Sequence, residues 1–498
     1  MHLCFFEVTQ KNLSDDTFKT EQKSLTTDPS LITRATEADL KQTAKNRHST
    51  NGRKGAAHIQ SYDRKTSDDA IAVIGLSCRC AGAHGQDELW ELVSQGRDGI
   101  REVERKDWLN FFEKNSSPRV PIHYGAMEEL EYFDSLFFNI SPHEAECMDS
   151  AQCILLEESY KALEDAGCFR FRLKEQSVGT FIGAMGGASG GEDVSHFSML
   201  GNDTSILSAR IAYYLDLKGP ALAINTACSS SLVAIDLACQ SLQNRKIDMA
   251  IAGGVTVYTN PGGFVAMNNA GMLSPTGSCR PFDNAADGIV VGDGVGIVIL
   301  KRLEEAERDN DRMYGVIRGS GTNQDGQTSG ITVPSFLSQR QLEESVYKKS
   351  KICVEDIQYI EAHGTATKLG DPIEIHALND SFRKFTKKKK FCAIGSLKAN
   401  IGHTAAAAGV LSLIKILLSL KNKQMAPSIN FDTPNQHIDF ENSPFFVNQS
   451  LRDWPVNSKA SRLAAVSSLG FSGTNAHLVI EEYLDESKVE GRKVEGTS

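Results

Sequence analysis

Short apolar, β-rich runs alternate with stretches of helical apolar spacing over most of this chain, and this constrains the fold more than any other feature. The runs include Ala70–Ile74, Gly179–Ile182, Ala221–Ile224, Met249–Ala252, Gly296–Leu300, Ala393–Ile394 and Leu478–Ile480. Such runs read as buried strands, and their alternation with helices predicts an α/β architecture. At 498 residues the chain can bury one large core or two. Residues from about 8 to 68 are polar and poor in aromatics. They are expected to be a linker or docking tail (residues 1–68 as a whole), because such a segment cannot bury enough apolar surface to fold alone. A similar polar tail is expected over 485–498. No internal repeat is evident.

A formal net charge of −10 argues against a general nucleic-acid binder. Eleven cysteines, an odd number without paired metal spacing, read as reduced thiols of a cytoplasmic protein. Cys78 and Cys80 lie close together, but no second pair completes a zinc site, so no metal is expected. No apolar run approaches the roughly 20 residues that span a bilayer. The patch Leu3–Phe6 lacks a secretory pattern. Lys387–Lys390 reads as a solvated loop, with docking of an acidic partner as the alternative.

Cys228 stands in Asn225-Thr226-Ala227-Cys228-Ser229-Ser230-Ser231-Leu232, after a strand-like run and before apolar residues at helical spacing (Leu232, Ile235, Cys239, Leu242). A strand-to-helix turn exposes unpaired N–H groups and the helix dipole, which stabilise a thiolate. The competing reading is a small buried thiol. Two further segments favour a nucleophile. Glu361-Ala362-His363-Gly364-Thr365-Ala366-Thr367 and Lys398-Ala399-Asn400-Ile401-Gly402-His403-Thr404 each place a histidine after an apparent strand. Both sit in small-residue turns that backbone and ligand can approach closely.

NTACSSSL, EAHGTATKLGDP, KANIGHTAAAAG and GFSGTNAH together resemble the signature set of β-ketoacyl synthases, most of all the ketosynthase domains of modular polyketide synthases. Further similar stretches are Ala70–Gly75, Phe133–Phe138, Ala162–Gly167, and Pro281–Asp283 leading to Gly292–Gly296. The resemblance runs over roughly 69–483. Gly262–Phe264 and Met272–Pro275 are most similar to synthases served by a separate acyltransferase. The resemblance implies a five-layered thiolase-like fold of two similar halves, 69–314 carrying the cysteine and 315–484 carrying both histidines. It implies that Cys228 takes an acyl chain from an upstream acyl carrier protein. His363 and His403 then stabilise the enolate left when malonyl-carrier protein loses carbon dioxide. The tetrahedral oxyanion would lie between the amides of Cys228 and Phe471, with Gly470, Ser472 and Gly473 completing a gating turn. Lys398 would be buried and paired with Glu374. Thr365 and Thr367 would hold the phosphopantetheine arm, while Asn400 and Asn475 support the site and His477 is structural. No bound cofactor, nucleic acid or membrane is implied. Partners would be carrier proteins, a second copy of the chain, and other synthase domains or a separate acyltransferase.

Some positions depart from the family pattern. Ala366 stands where glycine or serine is usual, Ala405 where glutamate is frequent, and Asp293 where glutamate is usual. Asp149–Cys153 departs from DPQQR, which puts local contacts in doubt. Two other readings compete with condensation. A non-elongating, transacylating domain often lacks the second histidine or its motif. A non-catalytic chain-length-factor-like subunit typically replaces the cysteine. This chain retains Cys228, His363 and His403. A thiolase would carry a second cysteine in glycine-rich wording, which Cys353 and Cys392 lack.

Overall fold

A computed structural model describes residues 69–104, 106–115, 123–168, 173–185, 196–456 and 461–484. All belong to one unit, Tyr62–Ser498. The expected tails, 1–68 and 485–498, lie outside the described residues.

Eleven strands form the main ladder: β1 (Ile71–Cys80), β2 (Val178–Ala184), β3 (Ala221–Ile224), β4 (Met249–Thr256), β5 (Gly294–Arg302), β6 (Gly315–Gln324), β7 (Ile357–Glu361), β8 (Cys392–Gly395), β9 (Phe445–Val447), β10 (Leu463–Leu469) and β11 (Thr474–Glu481). Their order is β9-β8-β7-β10-β11-β6-β1-β5-β4-β2-β3. The ladder is two copies of one topology. In the first, β3-β2-β4 are parallel, and β5 then β1 continue antiparallel. In the second, β8-β7-β10 are parallel, and β11 then β6 continue antiparallel. The copies touch through a short pairing, Ile71–Val73 with Gly315–Ile317. The β8 edge is covered by β9, whereas nothing among the described residues covers β3.

Helices fill three layers around the two sheets, which makes the fold five-layered and thiolase-like. On the outer face of the first sheet lie α1 (Ser150–Asp165) and α2 (Thr204–Leu215), packing Leu155, Leu163 and Ile211 against Ile182, Ile251 and Ile297. Between the sheets lie α3 (Ser230–Gln243) and, later in the chain, a long apolar helix. On the far face lie α5 (Phe336–Lys349) and α6 (Gly370–Arg383), which follow α4 (Gly262–Asn269) in the chain. They pack Leu342, Val346, Ile375 and Phe382 against Ile360, Ile394 and Val479. Two further helices matter for the site, α7 (Lys398–Ile401) and the central α8 (Ala408–Asn422).

Every residue of α8 from Ala408 to Leu420 is buried, because a helix between two sheets has no solvent face. The stretch Ala405–Asn422 is by length and composition apolar enough to cross a membrane, an exception to the sequence expectation. Yet 89% of it is buried in the protein, so its apolarity is already satisfied by the two sheets.

Asp149 caps α1, accepting from the Ala151 amide at 2.7 Å, and Gln152 accepts from Arg210 at 2.9 Å. The unusual wording there thus still builds a closed set of contacts. Lys388 and Lys390 pair with Glu355 and Glu441, both at 2.7 Å, and Lys389 donates to Asn442.

Candidate active site

The two central helices start alike, and the site lies at their N-termini. After β3, Ala227 adopts a left-handed φ of 59°, a short 3₁₀ turn spans Ala227–Ser229, and α3 begins. After β8, Ala405 has φ 40°, a 3₁₀ turn spans Ala405–Ala407, and α8 begins. Alanine in this region is uncommon and costs about 1 kcal/mol or more, so packing must hold both turns. At the first, Ser230 Oγ accepts from the Thr226 amide (2.9 Å) and donates to the Ala227 carbonyl (2.6 Å). Ser468 Oγ donates to the Cys228 carbonyl at 2.8 Å. The serines around the cysteine therefore shape the turn that presents it. Gly183 of β2 is needed here, since a Cβ there would lie 2.5 Å from the Ser231 amide.

Cys228 is half-buried in this turn. Burial pushes its thiol up from 9.0, although the amides of Phe471 and Cys228 and the charge of Lys398 pull it down. The sequence expectation of a thiolate stabilised by the turn is corrected in one respect. The stabilising amides are present, but desolvation outweighs them, so the resting group is a thiol.

His363 follows β7 and His403 follows α7; their rings stand 5.3 Å apart at 83°. Both are buried and both are held well below 6.5, first by desolvation and then by the Lys398 charge. Both imidazoles are therefore neutral at physiological pH. The Ala405 amide donates to His403 Nδ1 at 3.2 Å, which leaves the proton on Nε2. Nδ1 of His363 is buried without a partner among the described residues. The backbone of His403 is clamped on both sides: its amide donates to Val290 (2.6 Å) and its carbonyl accepts from Gly292 (3.0 Å).

Lys398 is buried, but Glu374 does not pair with it as expected. The carboxylate of Glu374 instead accepts from the amides of His363 (2.6 Å) and Gly364 (2.8 Å). Both its oxygens are thus used in holding the histidine turn, and burial raises the group to about 7. Glu374 acts on Lys398 through space only, after Glu361, while desolvation lowers the ammonium overall.

The Gly470–Gly473 turn joins β10 to β11 and rests on the cysteine turn. Ser472 Oγ donates to the Thr226 carbonyl at 3.3 Å, and Phe471 remains 47% exposed. Asn475 is buried and donates to Asp325 (2.7 Å) and Asn323 (3.2 Å), tying this turn to the end of β6. The Thr365 and Thr367 hydroxyls meet each other at 3.1 Å, and Thr367 also accepts from the Gly370 amide, in a half-buried position. Ala366 takes φ 61° and is fully buried, so its methyl is accommodated. Asn400 donates to the Arg97 carbonyl at 2.8 Å and packs away from solvent. His477 shares protons with Ser467 (2.9 Å) and Tyr347 (3.0 Å) in the core, as a structural residue should.

Two features escaped the sequence reading. Asp293 accepts from Tyr124 (2.8 Å), Met127 (3.2 Å) and Tyr258 (2.8 Å), pinning the wall beside the site. Glu361 pairs with Lys415 in the core at 2.7 Å. A lysine inside the apolar run Leu411–Leu420 was the available signal. Among the described residues no cluster of three His, Cys, Asp or Glu is arranged to hold a metal. The arrangement joins a thiol that can be acylated, two amides aimed at it, and two neutral imidazoles able to donate to a developing oxyanion.

The family model described as "Beta-ketoacyl synthase, N-terminal domain" matches residues 68–306, and "Beta-ketoacyl synthase, C-terminal domain" matches 314–432. Two polyketide synthases of Bacillus subtilis are similar: PksL is 48% identical over 84% of this chain, and PksM is 42% identical over 87%. The chain spans only 9% and 10% of the length of those two proteins. Among solved structures, a ketosynthase from module 6 of the bacillaene synthase of Bacillus subtilis matches with TM-score 0.79 and 48% identity, covering 84% of this chain and 72% of that one. The oxazolomycin ketosynthase domain OzmH KS7 of a Streptomyces strain matches with TM-score 0.79 at 32% identity, over 83% of this chain and 76% of that one.

Proposed function

The chain belongs to the β-ketoacyl synthase family as a ketosynthase domain of polyketide synthases, and we propose the following course for its reaction. The Cys228 sulfur attacks the thioester of an acyl chain carried on a phosphopantetheine arm. The carbonyl oxygen passes through an oxyanion between the Cys228 and Phe471 amides. The pantetheine thiol leaves with the proton that Cys228 gives up, so the exchange balances. A malonyl-carrier protein then enters, Thr365 and Thr367 steadying its arm. Its carboxylate departs as carbon dioxide, and the electron pair becomes an enolate whose oxygen accepts from His363 and His403. The enolate carbon attacks the acyl-enzyme, forming a carbon–carbon bond and a β-ketoacyl thioester, and the Cys228 thiolate that leaves takes a proton from solvent to restore the thiol.

The observation that carries this reading is the pair of buried neutral imidazoles under one lysine, Lys398, whose charge also reaches the Cys228 thiol. A transfer-only domain needs the cysteine and its amides, not a second donor at an enolate. Gly470, Ser472 and Gly473 place the Phe471 amide and gate entry. Glu374, Asn400 and Asn475 brace the turns.

We also assign a homodimer. Ala221–Ala223 of β3 are exposed, and Leu222 is 43% exposed on a sheet edge that no strand pairs among the described residues. Pairing two such edges across a twofold axis buries them and joins the sheets. The wording around Gly262–Phe264 and Met272–Pro275 favours a synthase served by a separate acyltransferase, acting in the cytoplasm with carrier proteins and other synthase domains. The deciding experiment is intact mass spectrometry with a panel of acyl thioesters, followed by malonyl-carrier protein. Acylation followed by a β-ketoacyl product is expected. Acylation with return of the unextended chain would make the domain a transacylating one.

A further inference from the structure

We propose that Glu361, clamped by Lys415 and Tyr359, is a positioning residue of the condensation step: it holds the turn bearing Lys398 against the strand end bearing His363. The proposal rests on the condensation reading above.

The carboxylate is fully buried at the end of β7, two residues before His363. One oxygen accepts from Lys415 Nζ (2.7 Å) and from the Tyr359 hydroxyl (3.0 Å). Lys415 also reaches that hydroxyl at 3.0 Å, which closes a triangle in the core between α8 and β7. The other oxygen accepts from the amide of Leu397 at 2.6 Å. Leu397 immediately precedes Lys398, and α7 carries the chain on to His403. One carboxylate thus joins three of the elements that build the site: the His363 strand, the Lys398 turn, and the central helix α8.

A fully buried ion pair is a weak source of stability, because desolvating two charges offsets most of their attraction. A wholly apolar pair would serve packing as well. A carboxylate does two things here that a hydrocarbon would not. It fixes the Leu397 amide, and it places a negative charge beside Lys398. The groups facing Lys398 are Glu361 from β7, Glu374 and Asp371 from α6, Cys279 from the segment before β5, Cys228 at the start of α3, and the two imidazoles. Glu361 itself faces Lys415, Tyr359 and Lys398, with Cys392 of β8 beside Tyr359. Among the charges, Glu361 contributes most to keeping the Lys398 ammonium protonated against burial. That ammonium in turn adds to burial in keeping His363 and His403 neutral.

The test compares wild type with Glu361→Gln, which keeps an acceptor for Leu397 but loses the charge. Because that change leaves the Lys415 ammonium buried alone, Glu361→Gln/Lys415→Met is measured beside it. Thermal unfolding, acyl-Cys228 formation from a small acyl thioester, and condensation kcat and KM against pH are read on each. The expected result is a folded protein that still acylates, with KM for malonyl-carrier protein unchanged. Its condensation kcat should fall about 100-fold, the scale of a displacement of about 1 Å in a reacting group. Its acid limb should move up in pH as the imidazoles lose the ammonium that adds to burial in suppressing their protonation. A wild-type kcat and acid limb in a folded variant overturn the proposal. So does a double variant that fails to fold, or one whose stability, acylation and condensation fall together, since the pair would then serve stability alone. Wild type that acylates without extending would instead sink the condensation reading.

Discussion

Gly470→Ala tests whether the Phe471 amide does its work at Cys228. Gly470 has no left-handed φ, so alanine adds no backbone strain, only a methyl group. That methyl would lie 2.5 Å from the Thr226 carbonyl oxygen and 3.0 Å from both Ser229 Oγ and the Thr474 carbonyl. Two of the three are backbone atoms, so no rotamer relieves the clash. An ordinary carbon–oxygen contact is about 3.3 Å, so the 470–473 turn must recede by about 0.8 Å. A hydrogen bond of about 2.9 Å stretched by that amount is no longer one. Losing one oxyanion donor slows such reactions by about 10²–10³, or about 2.7–4 kcal/mol of barrier. The assay is the time course of acyl-Cys228 by quenched intact mass spectrometry, with circular dichroism to show that the fold persists. The Gly263→Ala variant serves as control, since a Cβ at Gly263 meets nothing within 4 Å. A folded Gly470→Ala protein that acylates at the wild-type rate would show that the Phe471 amide takes no part.

Cys228→Ala should take up no acyl label at all, and a label surviving in that variant or mapping to another cysteine would displace the nucleophile. His363→Ala should still acylate but lose condensation by on the order of a thousandfold or more, as expected for a lost enolate donor; normal extension would remove His363 from the reaction. Burial holds His477 at about 3 against 6.5 in the unfolded chain, so between these values the unfolded state alone binds the proton. Stability should therefore fall as pH drops from 6.5 toward 3, and urea midpoints of His477→Gln should fall less steeply there than those of wild type; parallel slopes would refute the assignment. Sedimentation of wild type should give about twice the 54.3 kDa chain mass, and Leu222→Lys on the exposed β3 edge should shift it toward the single chain; a wild-type monomer would exclude the dimer.

The sequence by itself determined the α/β class and the setting of Cys228, because both are local. A four-residue apolar run, a polar turn and a helical repeat follow one another within a single stretch of chain, and the structure forms β3, the turn and α3 in that order. The same holds for the turns carrying His363 and His403, each read from residues next to it. Tertiary structure decided what depends on neighbours far away in the chain. The duplication was invisible in residue identities, yet both sheets share one strand order, since backbone topology can persist where side chains have diverged. The partner of Glu374 was misassigned because the family resemblance implied it as the counter-charge of a buried lysine, whereas in the fold its oxygens meet two amides of the histidine turn. The Cys228 thiol is raised because burial, a property of the whole packing, outweighs the turn that lies in its own sequence. Glu361 and Lys415 are 54 residues apart, and only the stacking of α8 on β7 brings a lone lysine in an apolar helix to a carboxylate. Composition fixes which groups must be buried somewhere, but the identity of each buried group's partner is set by which elements pack together.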